Sequence, residues 1–161
     1  MLTFLRCVLG NRVVEGYGAT ETSAATILQE YYDYTSGHVG GPMTCCDMRL
    51  EDVPDMSYLH TDTEHNGEAC IGRGELCLRV GACVWNKEQG YNVSSGYFRH
   101  PELTKEAFDE DGFFHTGDIV MVYPNGATKV RASRAFHRRS STARRTSSSC
   151  HRASTWRRRS W

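Results

Sequence analysis

"VVEGYGATETSAATIL", residues 13–28, sets a β-branched run before a glycine-bracketed tyrosine, a Thr-Glu pair and a stretch of small residues. The β-branched run predicts a short buried strand over residues 12–15, and Gly16-Tyr17-Gly18 predicts a break after it. Thr22 or Ser23 can then cap a helix running through Ala24, Ala25, Ile27 and Leu28. The segment reads as strand, loop and helix N-terminus. Just upstream, residues 4–9 read as the end of a helix stopped near Gly10.

From Gly37 onward the texture changes to short strand-like runs separated by Gly, Pro, Asn and Asp. Residues 43–46, 47–53 and 75–80 alternate as half-buried strands do, with Met48 and Leu50 on one face of the second run and Leu76, Leu78 and Val80 on one face of the third. Residues 58–67 read as a polar loop. Residues 101–108 open with Pro at the favoured first helical position and stop at a turn over 109–112, so a short helix is expected there. "DEDG" in that turn lacks the ligand spacing of a calcium loop. Residues 119–123, the Pro124-Asn125-Gly126 turn and residues 127–131 predict a hairpin. The fold class expected is α+β: a strand-loop-helix piece over 1–36, a small antiparallel β-barrel-like subdomain over 37–130, and a tail over 131–161.

Charge divides the chain at the same place. All 19 acidic residues and nine of the 19 Lys and Arg lie in residues 1–130, whereas the other ten, all Arg, lie in an acid-free tail. Nearly all Arg, Ser, Ala, Thr and His, that tail shows no apolar period and cannot offset the entropy of ordering, so disorder is expected. Cys7, Cys45, Cys46, Cys70, Cys77, Cys83 and Cys150 show no C-x-x-C, and no His pair stands at finger spacing, which argues against a zinc site. Cys45, Cys46, Cys70, Cys77 and Cys83 read as small apolar residues of the barrel. The opening "MLTFLRCVLG" is interrupted by Arg6 and too short to span a bilayer, and free thiols point to a reducing compartment.

Three segments in order, "EGYGATET" (15–22), "GRGELCLR" (72–79) and "DGFFHTGDI" (111–119), resemble motifs of the adenylate-forming ligases. "GHVGGPM" (37–43) and "DVPDMSY" (52–58) resemble the long-chain acyl-CoA synthetases within that superfamily. The resemblance covers about residues 4–130 and implies a fragment of the large adenylation domain. It also implies chemistry in two steps: a fatty acid carboxylate attacks the α-phosphorus of ATP to give an acyl-adenylate and pyrophosphate, then the thiol of coenzyme A displaces AMP. By resemblance, Tyr17 packs on adenine, with Gly16 and Gly18 letting backbone approach the flat ligand. Thr20 offers a hydroxyl near the α-phosphate, Glu21 offers Mg²⁺ a hard oxygen ligand, and Asp118 accepts from the ribose hydroxyls. Taken alone, Tyr17 reads as a half-buried aromatic beside a turn and Asp118 as a turn residue, whereas Thr20 and Glu21 read equally as an N-cap and a first-turn acid. His115 beside Thr116 could approach a nucleotide, but reads first as a surface or packed histidine, and Glu75 and Arg79 read as structural.

The sequence also departs from that family. No Ser/Thr/Gly-rich phosphate loop precedes Tyr17, Val80 and "WNKEQGYNVSS" (85–95) intervene before Gly96-Tyr97-Phe98, and Lys129 is the last lysine where a catalytic lysine would follow. The expectation is a fragmentary, frameshifted copy of a long-chain acyl-CoA synthetase, inactive by itself, with a complementing chain among its candidate partners. Its expected place is cytoplasmic or peripheral to an intracellular membrane. The competing expectation makes the Arg-rich tail, with Phe136, Trp156 and Trp161 interleaved, an RNA- or anionic-surface-binding segment. Solvated charge is the simpler account of that tail, so a nucleic-acid partner is not the first expectation.

Overall fold

The computed structural model describes residues 1–80, 92–133 and 155–156. Helix α1, Leu2–Leu9, ends at Gly10 in the left-handed conformation (φ 56°), as expected from the sequence. None of its residues is buried, and Arg6 ties it down by donating to the Val13 carbonyl at 2.9 Å, the Tyr34 carbonyl at 2.6 Å and Gln29 Oε1 at 2.9 Å.

Strands β1 (Gly16–Tyr17), β2 (Ile27–Leu28) and β3 (Gly41–Pro42) form a small antiparallel sheet in that order. The helix expected through Ala24 to Leu28 is therefore absent. Helical structure there is one 3₁₀ turn, Thr20–Thr22, after which Ser23 and Ala24 both take positive φ, 52° and 88°, and close it. Ile27, fully buried, instead pairs on both sides as the central strand, so tertiary burial and two ladders outweigh a weak local helix preference. The strand expected over 12–15 begins only at Gly16, although the Gln29 amide already donates to the Glu15 carbonyl at 2.9 Å.

The main sheet has the order β10-β4-β7-β8-β9, built from β4 (Cys46–Glu51), β7 (Gly72–Val80), β8 (Phe114–Val122), β9 (Thr128–Ser133) and β10 (Thr155–Trp156). Between β4 and β7, β5 (Glu64–His65), inside the stretch expected to be loop, pairs with β6 (Glu68–Ala69) just beyond it in a two-stranded hairpin. Helix α2, Pro101–Ala107, and the hairpin joining β8 to β9 lie where the sequence places them, with Gly126 at φ 83° in its turn. Of the tail expected to be disordered, Arg131–Ser133 prolong β9 and β10 pairs with β4; the rest, like Cys83 and residues 85–91, lies outside the described residues.

Alternation along β4 and β7 divides the main sheet into two faces. Met48, Leu50, Leu76, Leu78, Val120 and Val122, joined by Ile27 and Cys46, pack into one apolar cluster. On the opposite face, Arg49 lies across from Cys77 and Cys77 across from His115. Cys77 is thus buried, but on the polar face, not in the apolar core expected for it. Phe113, buried over that face, lies against two guanidinium groups, with Cζ of Arg49 at 4.1 Å and of Arg79 at 4.5 Å from its ring centroid. Arg79 also pairs with the buried Asp47 at 3.1 Å, the structural contact expected of it.

Leu76 sits at the centre of the cluster with 0 % exposure, whereas Leu103 on α2 is 49 % exposed. Leu76→Ala is expected to lower unfolding free energy by about 2–5 kcal/mol, and Leu103→Ala to stay within about 0.5 kcal/mol of the parent, in urea denaturation of the full chain.

Candidate functional site

The pairing of β7 with β8 is interrupted at one place. Glu75 pairs with Ile119 and Cys77 with His115, so Leu76 alone lies opposite Thr116, Gly117 and Asp118. The surplus residues are held by specific bonds: the Thr116 hydroxyl donates to the Leu76 carbonyl at 2.8 Å and accepts from the Asp118 amide at 3.1 Å, while the Gly117 amide donates to Glu75 Oε1 at 3.2 Å. Gly117 takes φ 72°, which a β-carbon would strain. Asp118, the last residue of the bulge, presents its carboxylate to β1.

There it meets Tyr17, whose hydroxyl donates to Asp118 Oδ2 at 2.6 Å across 101 residues of chain. The body of the Tyr17 ring packs against the apolar cluster, so the pair is anchored to the core. Burial raises the Tyr17 phenol above its ordinary value, and the hydrogen bond to Asp118 raises it further. Gly18 follows, and a β-carbon there would lie 1.3 Å from the Ala24 carbonyl oxygen, so the loop closes only over glycine.

Thr20 and Glu21 occupy the 3₁₀ turn next to this pair. Thr20 is exposed, and Glu21 is half-buried. Glu21 Oε1 accepts from the Tyr97 hydroxyl at 2.7 Å and its carbonyl from the Ser94 amide at 2.7 Å. That bond to Glu21 pushes the Tyr97 phenol up to about 12. The turn carries a reciprocal cap, with Thr22 Oγ1 accepting from the Ala19 amide at 2.8 Å and donating to its carbonyl at 3.1 Å; Thr22, not Thr20, therefore does the capping. Tyr97 and Ser94 were not singled out as site residues from the sequence, because their link to Glu21 spans more than seventy residues. Thr116 was noted only as a neighbour of His115.

Of the expected site residues, Tyr17 and Asp118 are in direct contact, Gly18 abuts the Ala24 carbonyl, and Thr20 and Glu21 share one turn. A hollow of about 340 Å³ lies elsewhere, between α1 and residues 31–34, and shares no lining residue with them.

Residues 1–85 match the family described as AMP-binding enzyme. The chain belongs to that family. Among AMP-binding enzymes, it is 42 % identical over 130 residues to long-chain-fatty-acid–CoA ligase 1 of Cavia porcellus and, to the same degree, to long-chain-fatty-acid–CoA ligase 6 of Homo sapiens; each match covers 81 % of this chain and 16 % of the relative. The chain thus spans about a sixth of the length of these curated relatives. Solved structures agree: the adenylation and carrier-protein didomain of carboxylic acid reductase from Segniliparus rugosus, in complex with AMP, superposes with a TM-score of 0.58 at 27 % identity, over 83 % of this chain and 15 % of that one. Apo MatB from Rhodopseudomonas palustris gives 0.53 at 31 %, over 75 % and 20 %. The mixed helix and antiparallel sheet architecture is that of parts of adenylate-forming domains.

The raised Tyr17 phenol carries a pH dependence. Its folded value lies above its unfolded value of about 10, so its contribution to stability is complete below that pH and fades as pH rises through the folded value. Unfolding free energy is expected to fall above about pH 10, less steeply in Tyr17→Phe, and that variant is expected to lose about 1 kcal/mol near neutrality; denaturant midpoints across the alkaline range measure both.

Proposed function

We propose that this chain carries the nucleotide side of an AMP-forming long-chain fatty acid–CoA ligase. The observation that carries the reading is the Tyr17–Asp118 hydrogen bond, which joins the first and last family motifs into one surface at the mouth of the glycine loop. The named activity of the curated relatives supports the substrate class, and the AMP complex among the structural neighbours supports the nucleotide.

In this reading Tyr17 packs on adenine and Asp118 accepts from the ribose hydroxyls, a task suited to an acceptor-only carboxylate already held in place by a donor. Thr20, exposed at the turn, donates to the α-phosphate. Glu21 would hold Mg²⁺: its carboxylate is half-buried, keeps one oxygen on Tyr97, and belongs to the hard oxygen donors that ion prefers. When bound, the ion supplies charge compensation, which phosphate oxygens need beside Asp118 and Glu21. The acyl transfer is then that of the family: the fatty acid carboxylate displaces pyrophosphate, and the coenzyme A thiol displaces AMP.

Residues 1–36 would contribute the adenine side and residues 37–130 the ribose side. The acyl site, the remaining phosphate contacts and the thiol site would come from sequence corresponding to the rest of the relatives' length, within a longer protein or on a complementing chain. The proposed setting is the cytoplasm or the surface of an intracellular membrane; no described helix is long and apolar enough to cross one. The alternative in which the Arg-rich tail binds RNA or an anionic surface rests almost wholly on residues outside those described.

The test is calorimetric AMP binding to the full chain. Binding is expected, weakened at least about tenfold, ~1.4 kcal/mol, in Asp118→Ala, and largely retained in Tyr17→Phe, which keeps the ring. Equal binding by parent and Asp118→Ala would overturn the assignment. For this chain alone, ATP–pyrophosphate exchange with a long-chain fatty acid is expected at background; exchange abolished by Asp118→Ala would show that it turns over unaided.

A further inference from the structure

The polar face of the main sheet gathers three different metal-binding side chains from three neighbouring strands. Glu51 comes from β4, Cys77 from β7 and His115 from β8, and their ligand atoms all lie within 4.8 Å of one another. Cys77 Sγ is 3.5 Å from His115 Nδ1 and 3.7 Å from Glu51 Oε2, and His115 Nδ1 is 3.2 Å from Glu51 Oε2.

Those three edges match a coordination polyhedron. With zinc bonds of about 2.3 Å to sulfur, about 2.0–2.1 Å to imidazole nitrogen and about 2.0 Å to carboxylate oxygen, a tetrahedral site has edges of about 3.5 Å for S···N, about 3.5 Å for S···O and about 3.3 Å for N···O. We propose that Glu51, Cys77 and His115 form a binding site for a zinc-class divalent cation. The donors, one thiolate, one imidazole and one carboxylate, suit a borderline ion and not the hard magnesium expected at Glu21.

The surroundings fit a cation as well. Glu75 Oε1, 3.7 Å from the same ring nitrogen, supplies further negative charge and a further oxygen donor, and any remaining corner takes water. On the other side of the imidazole, Asp109 Oδ2 lies 3.6 Å from Nε2, the place from which a carboxylate orients a metal-bound histidine. Asp109 is itself fixed by Arg49 and by the Phe113 amide, which donates to its Oδ1 at 2.7 Å. The side chains of His115 and Glu51 are 11 % and 45 % exposed, so an ion enters past Glu51 while the thiol stays covered. A cation bound there displaces the Cys77 thiol proton. Local sequence spacing misses such a site because its members are 26 and 38 residues from the central cysteine.

The experiment strips the purified full chain with chelator and titrates it with cobalt(II) alone, following the thiolate-to-cobalt charge-transfer band in the near ultraviolet, then displaces the cobalt with zinc. One equivalent with that band, displaced by zinc and absent in Cys77→Ser, is expected. Glu51→Gln, at a partly exposed position that leaves the core intact, is expected to bind cobalt at least about tenfold more weakly. Circular dichroism establishes that each variant is folded, and should Cys77→Ser unfold, the Glu51→Gln affinity decides. Absence of the band, a band of equal strength in folded Cys77→Ser, or unchanged affinity in Glu51→Gln would overturn the site.

Discussion

The bulge in β8 opposite Leu76 is the constraint on which the rest of this structure turns. A regular ladder continued from the Cys77–His115 pair would set Gly117 opposite Glu75, where Ile119 stands instead. Two surplus residues, held by the Thr116 hydroxyl and the Glu75 carboxylate, move the pairing by two positions and leave the faces unchanged: His115 stays opposite Cys77, and Asp118 hydrogen-bonds Tyr17 of β1. The cost is local and small, a positive φ assigned to glycine and a few ladder bonds exchanged for side-chain bonds of similar strength.

Behind the bulge stands a sheet that is apolar on one side and charged on the other. The apolar side supplies most of the stabilisation, since Met48, Leu50, Leu76, Leu78, Val120 and Val122 are all nearly or completely buried. Charges on the other side are not scattered. Arg49 is shared between Asp109 and Asp111, Arg79 pairs with Asp47, and Phe113 lies against both guanidinium groups, so partly desolvated charges have partners or an aromatic face. His115 joins that network with carboxylates around both ring nitrogens.

Much of the fold was legible before any coordinates. α1 with its glycine stop, α2 with its proline start and the β8–β9 hairpin with its Pro-Asn-Gly turn all rest on local backbone chemistry, and all three stand where the sequence places them. Residues 24–28 did not follow, because Ala-Ala carries a helix preference of only tenths of a kcal/mol and Ile27 gains more by pairing with two strands inside the core. The β5–β6 hairpin was missed for a related reason: "TDTEHNGEA" alternates in no apolar pattern, leaving only Asn66 and Gly67, both at positive φ, to mark the turn.

By itself the sequence named the candidate side chains for the chemistry, through its resemblance to a family's motifs. Tyr17, Gly18, Thr20, Glu21 and Asp118 were all named from motif order, because types and short spacings survive in one dimension. Tertiary structure alone decided which of them touch. It set Asp118 on the Tyr17 hydroxyl, gave Glu21 to Tyr97, and made Thr22 the cap. It also moved Cys77 from an assumed core position to a polar one beside Glu51 and His115. The physical reason is register: what lies opposite a strand residue depends on pairing with segments tens of residues away, and the two-residue surplus in β8 moves that pairing by two positions.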